Sequence, residues 1–442
     1  RSASWMDFPA TGIIRGRWEI CCVQANLSLP PETFRGQEIV NGGTAEQLRN
    51  YPFEGAVLGQ LPEEARALDA AEVRAVQEEA RRLVQEAALR RARGSNLAAR
   101  GISDFVRVDR VEGLALGGGV SQRLGRGVST SAFARYGTAD SRAKLRGALR
   151  WQSASGWNVA LGGADDWLQL GEVPEVSGVR NSLAAQEFGS DWTNPIGVQG
   201  GSFRVERRVA GAFSWHVEAL AREERALTVS AGSAFGAFEP TLPAVALTRR
   251  GVGLGVEALR LTHEGAGRLR GSVRASGAAL APTVGASSRV GRLSGELEWQ
   301  RPLGGARIHL RTVAAAVSRG ANVPVQDAVF FGGPVTGPGY DFHALRGLAG
   351  ISQRFEWQRR LPFVPIDLGR FGKVPATLVL APYAHAVWID RPLASDGGGW
   401  FPSLGVGAVG FFDLLRVDVA RGLRDGRWMF SLDVSRELWP VL

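Results

Sequence analysis

The sequence predicts an all-β chain whose strands close into an antiparallel transmembrane β-barrel of about sixteen strands, with fourteen the next count, because spanning barrels built from one chain hold even numbers. Three observations predict it. From about residue 103 onward, segments of about ten residues alternate apolar and polar side chains, a period of two that sends the two sets to opposite faces of a strand. In strand after strand one face is densely charged and the other is small or apolar, the pattern of a barrel with lipid outside and water inside. Fifteen such segments follow one another with no helical pattern between them, more than one soluble domain ordinarily needs.

Particular residues carry the alternation. Leu269, Gly271, Val273 and Ala275 oppose Arg268, Arg270, Ser272 and Arg274. Leu293, Gly295, Leu297 and Trp299 oppose Arg292, Ser294, Glu296 and Glu298. Phe355 and Trp357 oppose Arg354, Glu356, Gln358 and Arg360, and Leu415, Val417 and Val419 oppose Arg416 and Asp418. The same logic gives strands at 103–124, 127–139, 142–153, 156–170, 197–209, 213–227, 249–262, 268–280, 290–303, 306–318, 347–361, 376–390, 403–412, 414–422 and 427–436. Fifteen is odd, so one more strand is expected. Residues 171–196 are its expected place, with a short loop helix over 181–189 as the alternative. Trp151, Trp157, Trp167, Trp192, Trp388, Trp400, Phe401, Phe411, Phe412 and Trp428 fall near segment ends, where the interfacial girdles of a barrel want amphipathic rings.

Composition agrees with strands rather than helices. The 442 residues include 58 glycines spread along the whole chain, as bent and closely packed strands require, and 13 tryptophans. No run of 18 apolar residues suggests a membrane helix. The formal net charge is +9, carried almost wholly by arginine, the lysines being Lys144 and Lys373. The arginines are dispersed and alternate with apolar residues, which fits one wet strand face and argues against nucleic acid as a partner.

Before the barrel the texture differs. Residues 1–62 hold short strand-like pieces, such as 12–23, broken by Pro30, Pro31, Pro52 and Pro62. Residues 63–93 lack Gly and Pro and place Leu68, Ala71, Val76, Ala80, Leu83, Val84 and Ala87 near helical spacing, with Gly94 as the stop. The expected organisation is a small α/β periplasmic segment over 1–102 and the barrel over 103–442. Cys21 and Cys22 are adjacent, a spacing that rarely closes an unstrained disulfide, and read as small strand residues. The chain opens on Arg1 rather than Met, as expected of a processed or shortened form.

Catalytic and cofactor motifs are missing from the sequence. Gly405, Gly407 and Gly410 spell a dinucleotide fingerprint, but they lie inside a strand segment and not between a strand and a helix. His216, His263, His309, His343 and His385 are scattered, and the neighbours Asp165 and Asp166 read as a solvated turn beside Trp167. The expectation is a non-enzyme with no cofactor and no metal.

One segment carries a resemblance. Residues 330–346 read FFGGPVTGPGYDFHALR. This resembles the signature loop of the bacterial surface antigen family, the barrels of outer-membrane assembly and translocation factors. There a Gly-Gly pair is followed after a short spacer by Arg-Gly-aromatic. Gly332 and Gly333 match the pair, Gly339 and Tyr340 match the end, and Pro338 stands where the family has arginine. The downstream order agrees: Glu356, Arg359, Leu361 and Pro362 close one strand, 376–390 ends in Trp-Ile-Asp, and 403–409 with 415–419 resemble the paired closing strands. Trp428, Phe430, Leu432 and Val434 make the outward face of the last strand, after which the chain runs on through Leu438, Trp439 and Pro440.

The resemblance implies a loop folded into the barrel lumen, its arginine paired with an aspartate on the wall. Asp390 matches that aspartate, and Arg346 is the candidate substitute for the missing arginine. It implies the bacterial outer membrane as location, with its lipid and with client outer-membrane or secreted proteins as partners. The POTRA repeats that usually precede such barrels are not legible in 1–102. A passive conduit with an anion-favouring lumen, and a barrel anchoring an N-terminal domain, are the alternative roles.

Overall fold

The computed structural model describes residues 2–7, 13–18, 98 and 101–436, apart from 210–212, 263–266, 319–322, 368, 370–372, 375 and 394–396. The chain divides into two units, Arg1–Gln77 and Glu78–Leu442. In the first, β1 (Ser2–Asp7) and β2 (Ile13–Trp18) pair as an antiparallel hairpin, so the strand-like piece expected at 12–23 contains β2. The helix expected over 63–93, Cys21 and Cys22, and residues 437–442 lie outside the described residues.

The second unit is the barrel. A short helix α1 (Ile102–Phe105) leads into β3 (Val106–Asp109), β4 (Gly113–Gly125), β5 (Val128–Gly137), β6 (Arg142–Gln152) and β7 (Trp157–Gln169). Helix α2 (Gly178–Phe188) interrupts the series before β8 (Pro195–Val209), β9 (Phe213–Arg225), β10 (Leu247–Thr262), β11 (Gly267–Pro282), β12 (Ser288–Leu303) and β13 (Ala306–Val317). Then come the three-residue β14 (Val329–Phe331), β15 (Leu345–Pro362), the small hairpin of β16 (Ile366–Asp367) and β17 (Lys373–Val374), and β18 (Thr377–Pro392), β19 (Gly399–Gly410), β20 (Leu415–Gly422) and β21 (Trp428–Val434). All but β1, β2, β16 and β17 join one closed antiparallel sheet, in which β21 meets β3. Closure matters because hydrocarbon offers no partner to an open sheet edge. The described sheet has seventeen strands, or sixteen without β14, which pairs only with the start of β15.

The faces follow the sequence. Leu116, Val120, Leu149, Leu161, Phe203, Val217, Leu254 and Leu297 are exposed on the outside. Their alternates Arg135, Lys144, Glu224, Arg249, Arg354, Glu356 and Asp418 are buried within. Small residues make room for large inward ones. A Cβ on Gly405 would lie 2.4 Å from the Tyr383 ring on β18, and one on Gly255 would lie 2.2 Å from the His216 imidazole on β9. Ring over glycine is the close approach that the glycine content serves.

Four expectations need correction. The segment 103–124 is two strands: residues 110–112 turn the chain, and Gly113, at φ 63°, sits where a Cβ would fall 2.8 Å from the Ala139 Cβ. The additional strand therefore lies there, hidden because Arg110, Val111 and Glu112 continue the alternation through the turn. Residues 171–196 hold α2, the loop-helix alternative. Its signature is local: Ser177 caps the Arg180 amide, and Gly189 ends the helix in the left-handed region. Asp165 and Asp166 lie inside β7, ion-paired with Arg225 and Arg135. Among the expected girdle rings, Trp151, Trp400 and Trp428 do face outward, but Phe401 is buried inside and Trp192 stacks on Phe342 at 6.1 Å.

Connections alternate between the two ends of an antiparallel barrel. One end carries short turns such as 126–127 and 304–305; the other carries the long links 170–194, 226–246 and 318–344. Inside the barrel near that second end sits an apolar cluster of Leu247, Leu280, Val290, Phe331, Val387 and Phe401, so the interior is wet along only part of its length.

Candidate functional site

The long link between β13 and β15 folds inward. Residues 326–340 are all buried. Its base is fixed to the wall: Asp327 pairs with Arg249 of β10 at 2.8 Å, and Arg249 in turn holds Glu224 of β9 at 2.6 Å.

The Gly-Gly pair and its distant mate make the loop's shape. Gly332 and Gly333 adopt φ of 111° and 107°, and Gly339 adopts 91°, conformations that L side chains rarely take. Around them the Gly333 amide donates to the Tyr340 carbonyl at 3.0 Å, and the Gly337 amide donates to the Gly333 carbonyl at 3.0 Å. The backbone also presses on the wall, since a Cβ on Gly339 would lie 2.3 Å from the Gly422 nitrogen of β20. Tyr340 packs edge-on against Phe401 at 5.6 Å, and its hydroxyl donates to the Pro402 carbonyl at 2.7 Å.

The wall answers with charge. Arg354 of β15 is 2 % exposed, and its Nη1 donates to the Pro334 carbonyl at 3.2 Å. Its other nitrogens hold Glu356 at 2.8 Å and Asp418 of β20 at 3.3 Å, and the ring of Tyr383 lies under it at 3.6 Å. Arg416 completes the square, with Glu356 at 2.8 Å and Asp418 at 2.7 Å. These side chains bridge from β15 to β20 across β18 and β19. They cross above Gly407, where a Cβ would fall 2.7 Å from both Arg416 Nη2 and Asp418 Oδ1. Two guanidiniums therefore face the loop, Arg354 from the barrel wall and Arg436 just past β21. The Arg436 Nη2 donates to the same Pro334 carbonyl at 3.5 Å. Pro338, where the surface antigen signature has arginine, is buried in the loop.

The other two predicted residues are not brought to this square. Asp390 pairs in register with Ala349 and lies on the outer face, on the opposite side of β18 from buried Tyr383, His385, Val387 and Ile389. Its carboxylate is 3.7 Å from the neighbouring Arg391. Arg346 lies at the rim, paired through its backbone with Phe330 of β14.

A second link closes over the loop, and nothing in the sequence marked it. Glu175, between β7 and α2, accepts the Val335 amide at 2.7 Å and the Thr336 amide at 3.1 Å, and also the Thr336 hydroxyl. Burial pushes its carboxyl up to about 6, against the pull of the Thr336 hydroxyl and the two amides. Two residues on, Ser177 donates its amide and hydroxyl to Asp433 of β21 at 2.8 and 2.5 Å. From α2, Ser182 Oγ accepts the Val108 amide of β3 at 3.2 Å. Asp191 accepts the Arg110 amide at 2.9 Å and the Asn181 side-chain amide at 2.9 Å. His343, with Asn194 at 2.8 Å from its Nδ1, stacks on Phe342 at 3.9 Å. Burial first, and then the Arg110 cation, pushes its imidazole down to about 3. One segment, 175–194, thus touches the loop, the first barrel strand and the last.

A closed sheet with hydrocarbon-facing side chains outside, charged ones inside and a loop docked within defines a transmembrane β-barrel of the outer-membrane class. No protein-family model matches the chain, and no curated protein matches it. Among solved structures it is similar to CdiB from Acinetobacter baumannii, with a TM-score of 0.43 and 14% identity over 74% of this chain. It is also similar to BamA from Haemophilus ducreyi lacking POTRA domains 1–3 (0.48, 11% identity, 75% of this chain) and to OccK10 from Pseudomonas aeruginosa (0.33, 16% identity, 72% of this chain). The match spans 57% of the CdiB chain, 69% of the BamA chain and 91% of the OccK10 chain.

Proposed function

We propose that this barrel assists the insertion or translocation of other proteins at the bacterial outer membrane, through a seam between β3 and β21 that the docked loop and segment 175–194 hold shut. The observation that carries the reading is that one segment binds all three parts: Glu175 the loop, Ser177 the last strand and Ser182 the first. Apart from the three-residue β14, the seam strands are the shortest of the closed sheet, four residues in β3 and seven in β21, against eight in β20 and twelve to eighteen in β10–β13 and β15. An edge that opens offers unpaired amides and carbonyls, a template for an incoming strand. The sequence resemblance of residues 330–346 to the surface antigen loop points the same way.

A conduit is the second reading, favoured by the half-exposed inward charges Arg204 and Glu218 on β8 and β9, away from the loop. Liposomes holding the purified chain separate the two. An unfolded outer-membrane barrel is added as client, and its folding is followed by heat-dependent gel mobility. Faster client folding than in empty liposomes is expected. Ion-selective conductance with client folding unchanged would overturn the first reading in favour of the second.

A further inference from the structure

We propose that the outer face of β10, β11 and β12 binds one anionic phospholipid, its phosphate held by Arg250 and Arg289 and an acyl chain laid along β11. Register places Arg250 opposite Ala279, and Ala279 opposite Arg289, so the three form a row across adjacent strands on one face. That face is the outer one, because the neighbours Arg249, Leu280 and Val290 are buried inside. Strands stand about 4.8 Å apart, which sets the two arginines about 10 Å apart at the backbone with only a methyl between. Two guanidinium forks at that spacing converge on one phosphate.

The row heads a trough. The outward residues of β11 below Ala279 are Gly277 and Ala275, and a Cβ on Gly277 would meet nothing within 4 Å. Val252 and Leu254 wall it on β10, and Leu293 stands opposite on β12, all at least half exposed. The trough is one strand wide, apolar and open along its length, the shape of a single acyl chain.

Depth agrees with charge. Arg301 lies on the same face of β12 as Arg289, twelve residues further along. At about 3.4 Å per residue and a tilt of about 40°, the pair spans about 30 Å, the thickness of the hydrocarbon layer. Arg289 therefore stands at headgroup level, and the trough descends from it toward the midplane. Among the described residues neither Arg250 nor Arg289 has an ion-pair partner. Glu223, diagonal to Arg250 on the same face, lies on the side away from the trough. Two cations and no acid between them select a net-negative headgroup over a zwitterionic one.

Native mass spectrometry of the purified chain in detergent tests this, with phosphatidylglycerol, phosphatidylcholine and inorganic phosphate as separate probes. The wild type should retain one phosphatidylglycerol at least tenfold more strongly than phosphatidylcholine, a comparison that needs no variant. Replacing both arginines, R250S with R289S, should remove that preference. Gly277→Leu, which fills the trough and leaves the arginines, should weaken phosphatidylglycerol alone. Equal retention of the two lipids, an unchanged preference in the double variant, or displacement of the lipid by millimolar inorganic phosphate would each overturn the proposal.

Discussion

Arg354 on the barrel wall donates to the carbonyl of Pro334 in the loop at 3.2 Å, while also pairing with Glu356 and Asp418. The square it forms with Arg416 is buried and balanced, two cations against two anions. Removing one partner of such a group costs about 3–5 kcal/mol, because the remaining charges stay buried. Arg354→Ala should therefore lower the temperature at which the barrel loses its compact form on semi-native gels. It should also expose the loop to protease. Arg346→Ala, at the rim, should change neither. Equal effects from the two would remove Arg354 from its place as the loop's anchor.

Pro338→Arg places the arginine of the surface antigen signature, which the loop resembles, at a buried position of the loop. The wall acids Glu356 and Asp418 are already held by Arg354 and Arg416. Arg436 already adds a third guanidinium there, on the same Pro334 carbonyl as Arg354. A further cation buried in the loop raises the positive charge without a matching anion, so the single variant is expected to be less heat-stable than the wild type. Combining it with Arg354→Ala should recover part of both losses, the coupling expected of two groups that compete for one set of acids. Strict additivity of the two variants on the same gels would count against this.

Gly339 meets β20 backbone to backbone, at φ 91° and with the Gly422 nitrogen 2.3 Å from where a Cβ would stand. Neither atom is on a flexible side chain that could yield. Gly339→Ala should cost about 1–3 kcal/mol from the backbone conformation alone, and more from the contact. Protease cleavage between Pro334 and Tyr340 in the intact barrel is the measurement, and it should appear in the variant and not in the wild type. Gly304, also at positive φ but with open space around it, should tolerate the same change better.

How far the sequence revealed this follows from the range of each interaction. Strand periodicity is local, so the two faces, and the inward pairs Arg354 with Glu356 and Arg416 with Asp418, were legible at a spacing of two. That these pairs meet across β18 and β19 depends on register and on Gly407, which no local pattern records. The Gly-Gly turn was legible because positive φ restricts residue choice. Asp390 was placed by motif order, yet one step of the pleat separates the two faces, and it lies outward with Trp388. Glu175 carries no motif at all: it is one acid in a long link, given its part by the amides of Val335 and Thr336.

Acid should loosen the docked loop, and two groups set the direction. His343 has its folded pKa depressed to about 3, so the undocked imidazole takes a proton below about 6.5 while the docked one refuses it. Its contribution is whole above pH 6.5 and falls away toward pH 3. Glu175, raised to about 6, acts oppositely: the docked carboxyl takes up its proton first, so acidification between 6 and 4.5 favours docking. The histidine shift is the larger, and the net result is loss of docking by about pH 4. Quenching of Trp192, stacked on Phe342 beside His343, reports it. His343→Asn, which tolerates the residue's φ of 52°, should flatten the acid response. Glu175→Gln should leave it steeper, since the opposing group is gone. A steeper response in the asparagine variant would reverse the assignment.

The clasp between Ser177 and Asp433 makes the final prediction. Asp433 accepts both the amide and the hydroxyl of Ser177, and the same segment binds β3 through Ser182. Hydrogen bonds to a charged acceptor contribute about 1.5–3 kcal/mol, and here they join parts 256 residues apart in sequence. Asp433→Ala removes both bonds and keeps the Ser177 cap on the Arg180 amide, whereas Ser177→Ala keeps the amide bond to Asp433 and loses the hydroxyl bond with the cap. The double variant should exceed Asp433→Ala only by the cap that the Ser177 hydroxyl still gives the Arg180 amide, about 1 kcal/mol. If the clasp holds the seam, Asp433→Ala will also raise hydrogen exchange in β3 and β21 while β10–β13, on the far side of the barrel, stay protected. Uniform exchange around the ring would mean that Asp433 stabilises the barrel generally and has no special hold on its closing strands.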